Sequence, residues 1–136
     1  MNKKRIIVNS RDYVKLRQIT NRSGSESGNQ YIRNLEAELS NAVVVDPEKI
    51  PADVITMNTK VSFCNVSESE DFIYTIVYPE DADIEHGKLS VLAPIGTALL
   101  GYREGDEVAW KVPSGIKTFR IEKILYQPEA NGDYYI

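Results

Sequence analysis

The chain has 136 residues, of which 42% are hydrophobic and 26% charged, an ordinary balance for a soluble globular protein of one domain, or a domain plus a small appendage. No apolar run approaches the roughly 20 residues that span a bilayer, and the basic start Met1-Asn2-Lys3-Lys4-Arg5 leads into no signal-type apolar block, so neither membrane insertion nor secretion is expected. One cysteine, Cys64, excludes an internal disulfide and suits a reducing cytoplasm; with one histidine, His86, it leaves too little for the usual zinc cage or a nucleophile and base pair.

The net charge of −4 hides an asymmetry. Residues 1–42 carry eight Lys/Arg against four Asp/Glu, and residues 43–136 carry eight against sixteen, giving +4 and −8. An acidic main part repels phosphate backbones, while the basic N-terminal part is a candidate for weak contact with nucleic acid or another anionic surface.

Ile6-Ile7-Val8 is a short apolar start, after which Asn9 or Ser10 can cap a helix with Asp12 near its positive end. Tyr13, Leu16 and Ile19 fall on one side, which predicts a helix over 10–21, about 18 Å long. Residues 21–29 hold two glycines, three serines and no apolar side chain, the composition of a loop. From Asn29, Ile32, Leu35, Leu39 and Ala42 recur at the spacing of a two-helix seam, so the two helices form an antiparallel hairpin. Asp46-Pro47 and Ile50-Pro51 punctuate a linker from Val43 to Pro51, and the boundary is placed there: residues 1–45 a helical hairpin, 46–136 a second domain.

Beyond it the composition turns to strand formers. Strands are predicted at Val54–Met57 and Lys60–Val66, the latter with Val61 and Phe63 opposite Ser62 and Cys64. The next strand carries Phe72, Tyr74 and Ile76 on one face and Ile73 and Val77 on the other, as expected of a central strand covered on both sides, and ends at Pro79. Asp81 to Gly87 is an acidic excursion closed by a glycine. Ser90-Val91-Leu92-Ala93 reads as a strand stopped by Pro94; Gly96 supplies backbone freedom at the corner, and one helical turn over 97–100 buries two leucines before Gly101. After Glu104-Gly105-Asp106, Val108, Trp110 and Val112 alternate with polar neighbours, and Pro113-Ser114-Gly115 turns the chain back. In the last strand Phe119 and Ile121 point inward with Ile124 out of phase, which predicts a bulge near Glu122-Lys123. The tail from Gln127 is loop-like. The fold class is α+β: a short hairpin projecting from an antiparallel or mixed sheet.

The run Ser90-Val91-Leu92-Ala93-Pro94-Ile95-Gly96-Thr97-Ala98-Leu99-Leu100-Gly101, closing on Gly105-Asp106, resembles the signature of the C-terminal domain of the bacterial Gre transcript-cleavage factors. With Val54-Ile55-Thr56-Met57-Asn58 before it and Leu125-Tyr126-Gln127-Pro128-Glu129-Ala130 after it, the set resembles the regulator of nucleoside diphosphate kinase family, from about Ile6 to Ala130. The resemblance implies an FKBP-like C-terminal domain that docks on RNA polymerase near its secondary channel. Carried over position by position, the contact candidates are Ser90, Leu92, Ala93, Pro94 and Ile95. Alternatively Ile95 is core, with Pro94 and Gly96 only shaping the turn; both can hold at once. Gre factors commonly have a polar residue and a serine before the proline, where this chain has Leu92-Ala93.

Cleavage in the Gre family implies a carboxylate pair at the tip of a long coiled coil, where it helps to hold a second Mg²⁺. Here the tip offers Glu26 alone, with Arg22 opposing a cation, and the stem is short. The expectation is therefore a non-catalytic, monomeric regulator with no cofactor or metal, which binds RNA polymerase and competes with its longer relatives. Two other classes stand beside it. FKBP-like folds occur in prolyl isomerases, for which Phe63, Tyr74, Tyr78, Trp110 and Phe119 would have to line a pocket. The family's name implies regulation of nucleoside diphosphate kinase, by direct binding or through expression.

Overall fold

The computed structural model describes residues 5–24, 30–112 and 115–133. It opens with strand β1 (Ile7–Asn9), followed by helices α1 (Ser10–Gly24) and α2 (Gln30–Ser40) and strand β2 (Val43–Val45). The helix pair returns the chain to its start, and β2 pairs with β1 in parallel, Ile7 opposite Val43 and Asn9 opposite Val45. Three consecutive β-branched residues thus form a strand where the sequence suggested a linker.

The second part contains β3 (Lys60–Asn65), β4 (Glu70–Val77), β5 (Lys88–Ser90), helix α3 (Pro94–Leu99), β6 (Glu107–Val112) and β7 (Gly115–Tyr126). The sheet order is β5-β4-β3-β7-β6, antiparallel except for β4 and β5. The register between β3 and β7 slips so that Glu122 and Leu125 have no partner, Ser62 facing Lys123 and Phe63 facing Ile121. The bulge expected from the phase of Ile121 and Ile124 is present, with a second beside it. The turn predicted at Pro113-Ser114 lies outside the described residues.

Two expectations are corrected. Val54–Met57 is not a strand: Val54 makes one isolated bridge to Arg103, and all four residues are buried, which a half-covered strand of period two does not allow. Nor is β4 covered on both sides along its whole length: of the two residues expected on its second face Val77 is buried but Ile73 is exposed. Phe63, Phe119, Ile121 and Val108 share one buried cluster with Leu99 and Leu100, with Ile55 and Met57, and with Ile6, Leu16, Leu35 and Leu39 from the hairpin and its base. The main cover lies on that face, leaving Ile73 and Lys123 to solvent on the other, where Cys64 and Val77 are nonetheless buried.

Candidate functional site

The bend after β5 is built from backbone hydrogen bonds and one close approach. The amide of Val91 donates to the carbonyl of Val77 at 2.9 Å, keeping the chain on the sheet for one residue beyond β5. The Ser90 carbonyl accepts from the amide of Ala93 at 3.0 Å, and its hydroxyl accepts from the amide of Leu92 at 3.0 Å, so the chain folds back over Ser90. Ala93 is extended (φ −63°, ψ 145°), as a residue before proline must be, and Pro94 opens α3 where no amide donor is missed. Thr97 closes the loop by donating its hydroxyl to the carbonyl of Val91 at 2.6 Å.

Gly96 sits where a Cβ would run into the Ser90 carbonyl oxygen. Its conformation is helical, not left-handed, so close approach is why glycine stands here, and not the backbone freedom expected from the sequence. Gly101 is the left-handed one, at φ +83°, and it ends the helical turn as expected.

The structure brings the five predicted contact residues to this one bend. Pro94 is exposed; Ser90, Leu92, Ala93 and Ile95 are half-buried, and Leu92 and Ile95 also pack against the core. Ile95 thus supports the fold, as the second reading of it expects, while part of it remains exposed. No charged residue occurs between Lys88 and Arg103, so the bend itself carries no charge.

At the hairpin, Asp12 and Glu38 are buried, whereas Arg5, Lys15 and Arg33 are exposed. Among the described residues its surface is thus more basic than its composition. Glu26 lies outside the described residues, so the tip's acid content rests on sequence alone.

A feature that sequence reasoning missed lies where the hairpin meets the sheet. Asn9 caps α1 by accepting the amide of Asp12 on its side-chain oxygen at 2.7 Å. Its side-chain amide donates to Asp12 at 3.1 Å and to Glu129, from the far end of the chain. Asp12 also accepts from the Tyr78 hydroxyl at 3.1 Å and the Met57 amide at 3.3 Å, and Glu129 from the Thr56 hydroxyl at 2.7 Å. Burial first, and then the neighbouring charge of Glu129, push the Asp12 carboxyl up to about 6. Burial, and then the Asp12 carboxylate that accepts its hydrogen bond, raise the Tyr78 hydroxyl. The one signal available was Asp12 three residues after a capping Asn; nothing local paired it with Glu129.

The remaining candidates are plain. His86 is exposed and bonded to Asp83 at 2.7 Å. Cys64 is buried on the face opposite Phe63. A cavity of about 420 Å³ lies between Lys15, Gln18 and Ile19 of α1 and Asn58, Tyr78, Glu80 and Asp81; of the five aromatics considered for an isomerase pocket, Tyr78 alone lines it. Phe63, Phe72, Tyr74 and Phe119 instead pack against one another, Phe72 stacked on both Phe63 and Tyr74 and Phe119 edge-on to Phe63, with neighbouring ring centres 5.4 to 6.2 Å apart. Among the described residues no group of three or more His, Cys, Asp or Glu is placed to hold a metal, and no helix is long and apolar enough to cross a membrane.

Residues 50–126, which include the bend, match the family model for the C-terminal part of the transcription elongation factors GreA/GreB. The regulator of nucleoside diphosphate kinase of Escherichia coli (strain K12) is 46% identical over 103 residues, 75% of this chain and 76% of that protein. The chain belongs to the regulator of nucleoside diphosphate kinase family, related to the Gre elongation factors. A transcription elongation factor GreA from Syntrophotalea carbinolica is 38% identical over 106 residues, 78% of this chain and 66% of that protein. A solved GreA/GreB-type transcription elongation factor from Nitrosomonas europaea superimposes with a TM-score of 0.72 at 42% identity, covering 91% of this chain and all of that one. As a member of this family the chain has relatives named as regulators or as transcription factors, which supports a regulatory role of that kind.

Proposed function

We propose that this chain is a non-catalytic regulator that docks on bacterial RNA polymerase near the secondary channel through Ser90, Leu92, Ala93, Pro94 and Ile95. In this reading residues 46–136 form the docking domain and residues 1–45 a short basic hairpin presented at the channel. Occupancy without cleavage makes it a competitor of the longer Gre factors. The single observation that carries the reading is the bend itself, in which exposed Pro94 sits between half-buried Ala93 and Ile95 on a backbone fixed by Ser90, Gly96 and Thr97. A bend already rigid loses little entropy on docking. The hairpin adds support: α1 has 15 residues, about 22 Å, and the tip sequence holds one acid where a cleavage factor needs two.

The test is a transcript-cleavage assay on a stalled elongation complex. Added alone, the chain leaves the transcript intact; added with a Gre factor, it lowers the cleavage rate in proportion to its concentration. Stimulated cleavage, or no effect on the Gre factor at saturating concentration, would overturn the reading.

A second reading draws on the name of the 46% identical relatives, a regulator of nucleoside diphosphate kinase. It requires direct binding to that kinase, which a pull-down carrying both the kinase and core polymerase separates from polymerase binding.

A further inference from the structure

The hairpin is held to the sheet domain by apolar packing of Leu16, Leu35 and Leu39 and, beside it, by the polar cluster of Asn9, Asp12 and Glu129. That cluster joins four separate parts of the chain: the start of α1, the segment at Thr56 and Met57, Tyr78 beyond β4, and the turn at Glu129. Among the described residues, the donors hydrogen-bonded to these two carboxylates are neutral groups: the Asn9 side-chain amide, the Tyr78 and Thr56 hydroxyls and the Met57 amide. Two negative charges that converge on one amide group in a buried place repel each other, and a single proton removes that repulsion.

We propose that Asp12 and Glu129 form a proton-controlled latch: with one proton on the pair the base of the hairpin is held tightly to the sheet domain, and loss of that proton loosens it. The proton comes from solvent and returns to it. The charged and titratable groups around the pair are few. On α1, Lys15 favours ionised Asp12 and Arg11 acts on Tyr78; beyond β4, Tyr78 donates to Asp12 and Glu80 adds negative charge near that hydroxyl; in the C-terminal turn stands Glu129, which in turn acts on Tyr126, itself bonded to Asp133. Burial and Glu129 outweigh the hydrogen bonds from Tyr78 and Met57 and the charge of Lys15, which pushes the Asp12 carboxyl up to about 6. The latch concerns the joint within the molecule and stands apart from polymerase binding.

The experiment is amide hydrogen exchange of the intact protein at pH 5 and pH 7.5, corrected for the intrinsic pH dependence of exchange. In the wild type, protection of the α1 amides falls by about tenfold or more with rising pH, against a smaller fall for amides of β3 and β7. Asp12→Asn removes most of that dependence. Glu129→Gln, which keeps Asp12 and removes the second charge, moves the midpoint to lower pH and serves as the test if Asp12→Asn does not fold. The latch is overturned by α1 protection that does not change with pH, by an equal fall in sheet and helix, by an unchanged dependence in Asp12→Asn, or by an unmoved midpoint in Glu129→Gln.

Discussion

Asp12, three residues into α1, and Glu129, in the turn that follows β7, are both hydrogen-bonded to the side-chain amide of Asn9, although 117 positions separate them in the chain. A carboxylate pair so placed makes stability depend on pH in a direction opposite to that of an ordinary ion pair. The folded-state pKa of Asp12 lies above its ordinary 3.8, at about 6, so its stabilising share is complete below about 4 and is lost as pH rises through about 6. Asp12→Asn removes the charge and keeps one oxygen, which accepts from the Asn9 side chain and the Met57 amide, while its new NH2 group faces the Tyr78 hydroxyl, which can turn to accept from it. Urea unfolding at pH 7.5 should show the variant more stable than wild type by about 1 to 3 kcal/mol, with the gain vanishing near pH 4.

Gly96 is the residue that lets α3 lie against Ser90. Gly96→Ala forces the new methyl group against the Ser90 carbonyl, at a cost of about 1 to 3 kcal/mol, and the bend must open to relieve it. Thermal unfolding reads the loss of stability. Gly105→Ala adds a methyl group that meets nothing within 4 Å and leaves Ser90 untouched, so its cost comes from its left-handed backbone alone and the bend is undisturbed.

Thr97 ties the same bend from inside. Thr97→Val conserves shape but leaves the Val91 carbonyl without the hydroxyl that now donates to it at 2.6 Å, a loss of about 1 to 3 kcal/mol in chemical denaturation. Thr97→Ser, which keeps the hydroxyl, should recover part of it.

Much of this could be read in the chain, and the misses share a cause. The hairpin, the strands at Lys60, Phe72 and Glu107, and the bulge near Glu122 follow from local period and turn chemistry, which neighbouring residues report, whereas the strand expected at Ser90–Ala93 lies at Lys88–Ser90 and the helix expected from Thr97 already starts at Pro94. The bend was legible as a unit because Pro94 and Gly96 constrain the backbone where they stand. The pairing of Val43–Val45 with Ile7–Asn9 and the meeting of Asp12 with Glu129 depend on partners more than 30 positions away, and no local pattern encodes them. Val54–Met57 has the composition of a strand, yet its backbone bonds go to scattered partners: Pro51, Gly101, Tyr102, Thr59 and the side chains of Asp12 and Gln127.

Gln127, in a tail that reads as a loop, is buried at 2% exposure. Its amide nitrogen donates to the carbonyls of Pro51 and Val54 at 2.8 and 2.7 Å, and its oxygen accepts from the amide of Ala130 at 3.1 Å. Gln127→Glu turns a buried donor into an acceptor facing two carbonyl oxygens. The expected penalty is about 3 to 5 kcal/mol, seen as a large drop in the urea midpoint or as failure to accumulate folded protein.

The central claim is that the bend at Pro94 docks on RNA polymerase, and the most direct measurement is the affinity of the purified chain for core enzyme. The comparison is between wild type, Pro94→Ala combined with Ile95→Asp, and Ile73→Asp on the open face of the sheet, each shown to be folded by circular dichroism. The account predicts that wild type and Ile73→Asp bind alike while the double variant loses binding by at least about tenfold, the equivalent of 1.4 kcal/mol. Equal affinity of a folded double variant and wild type, or no binding by wild type, would contradict it.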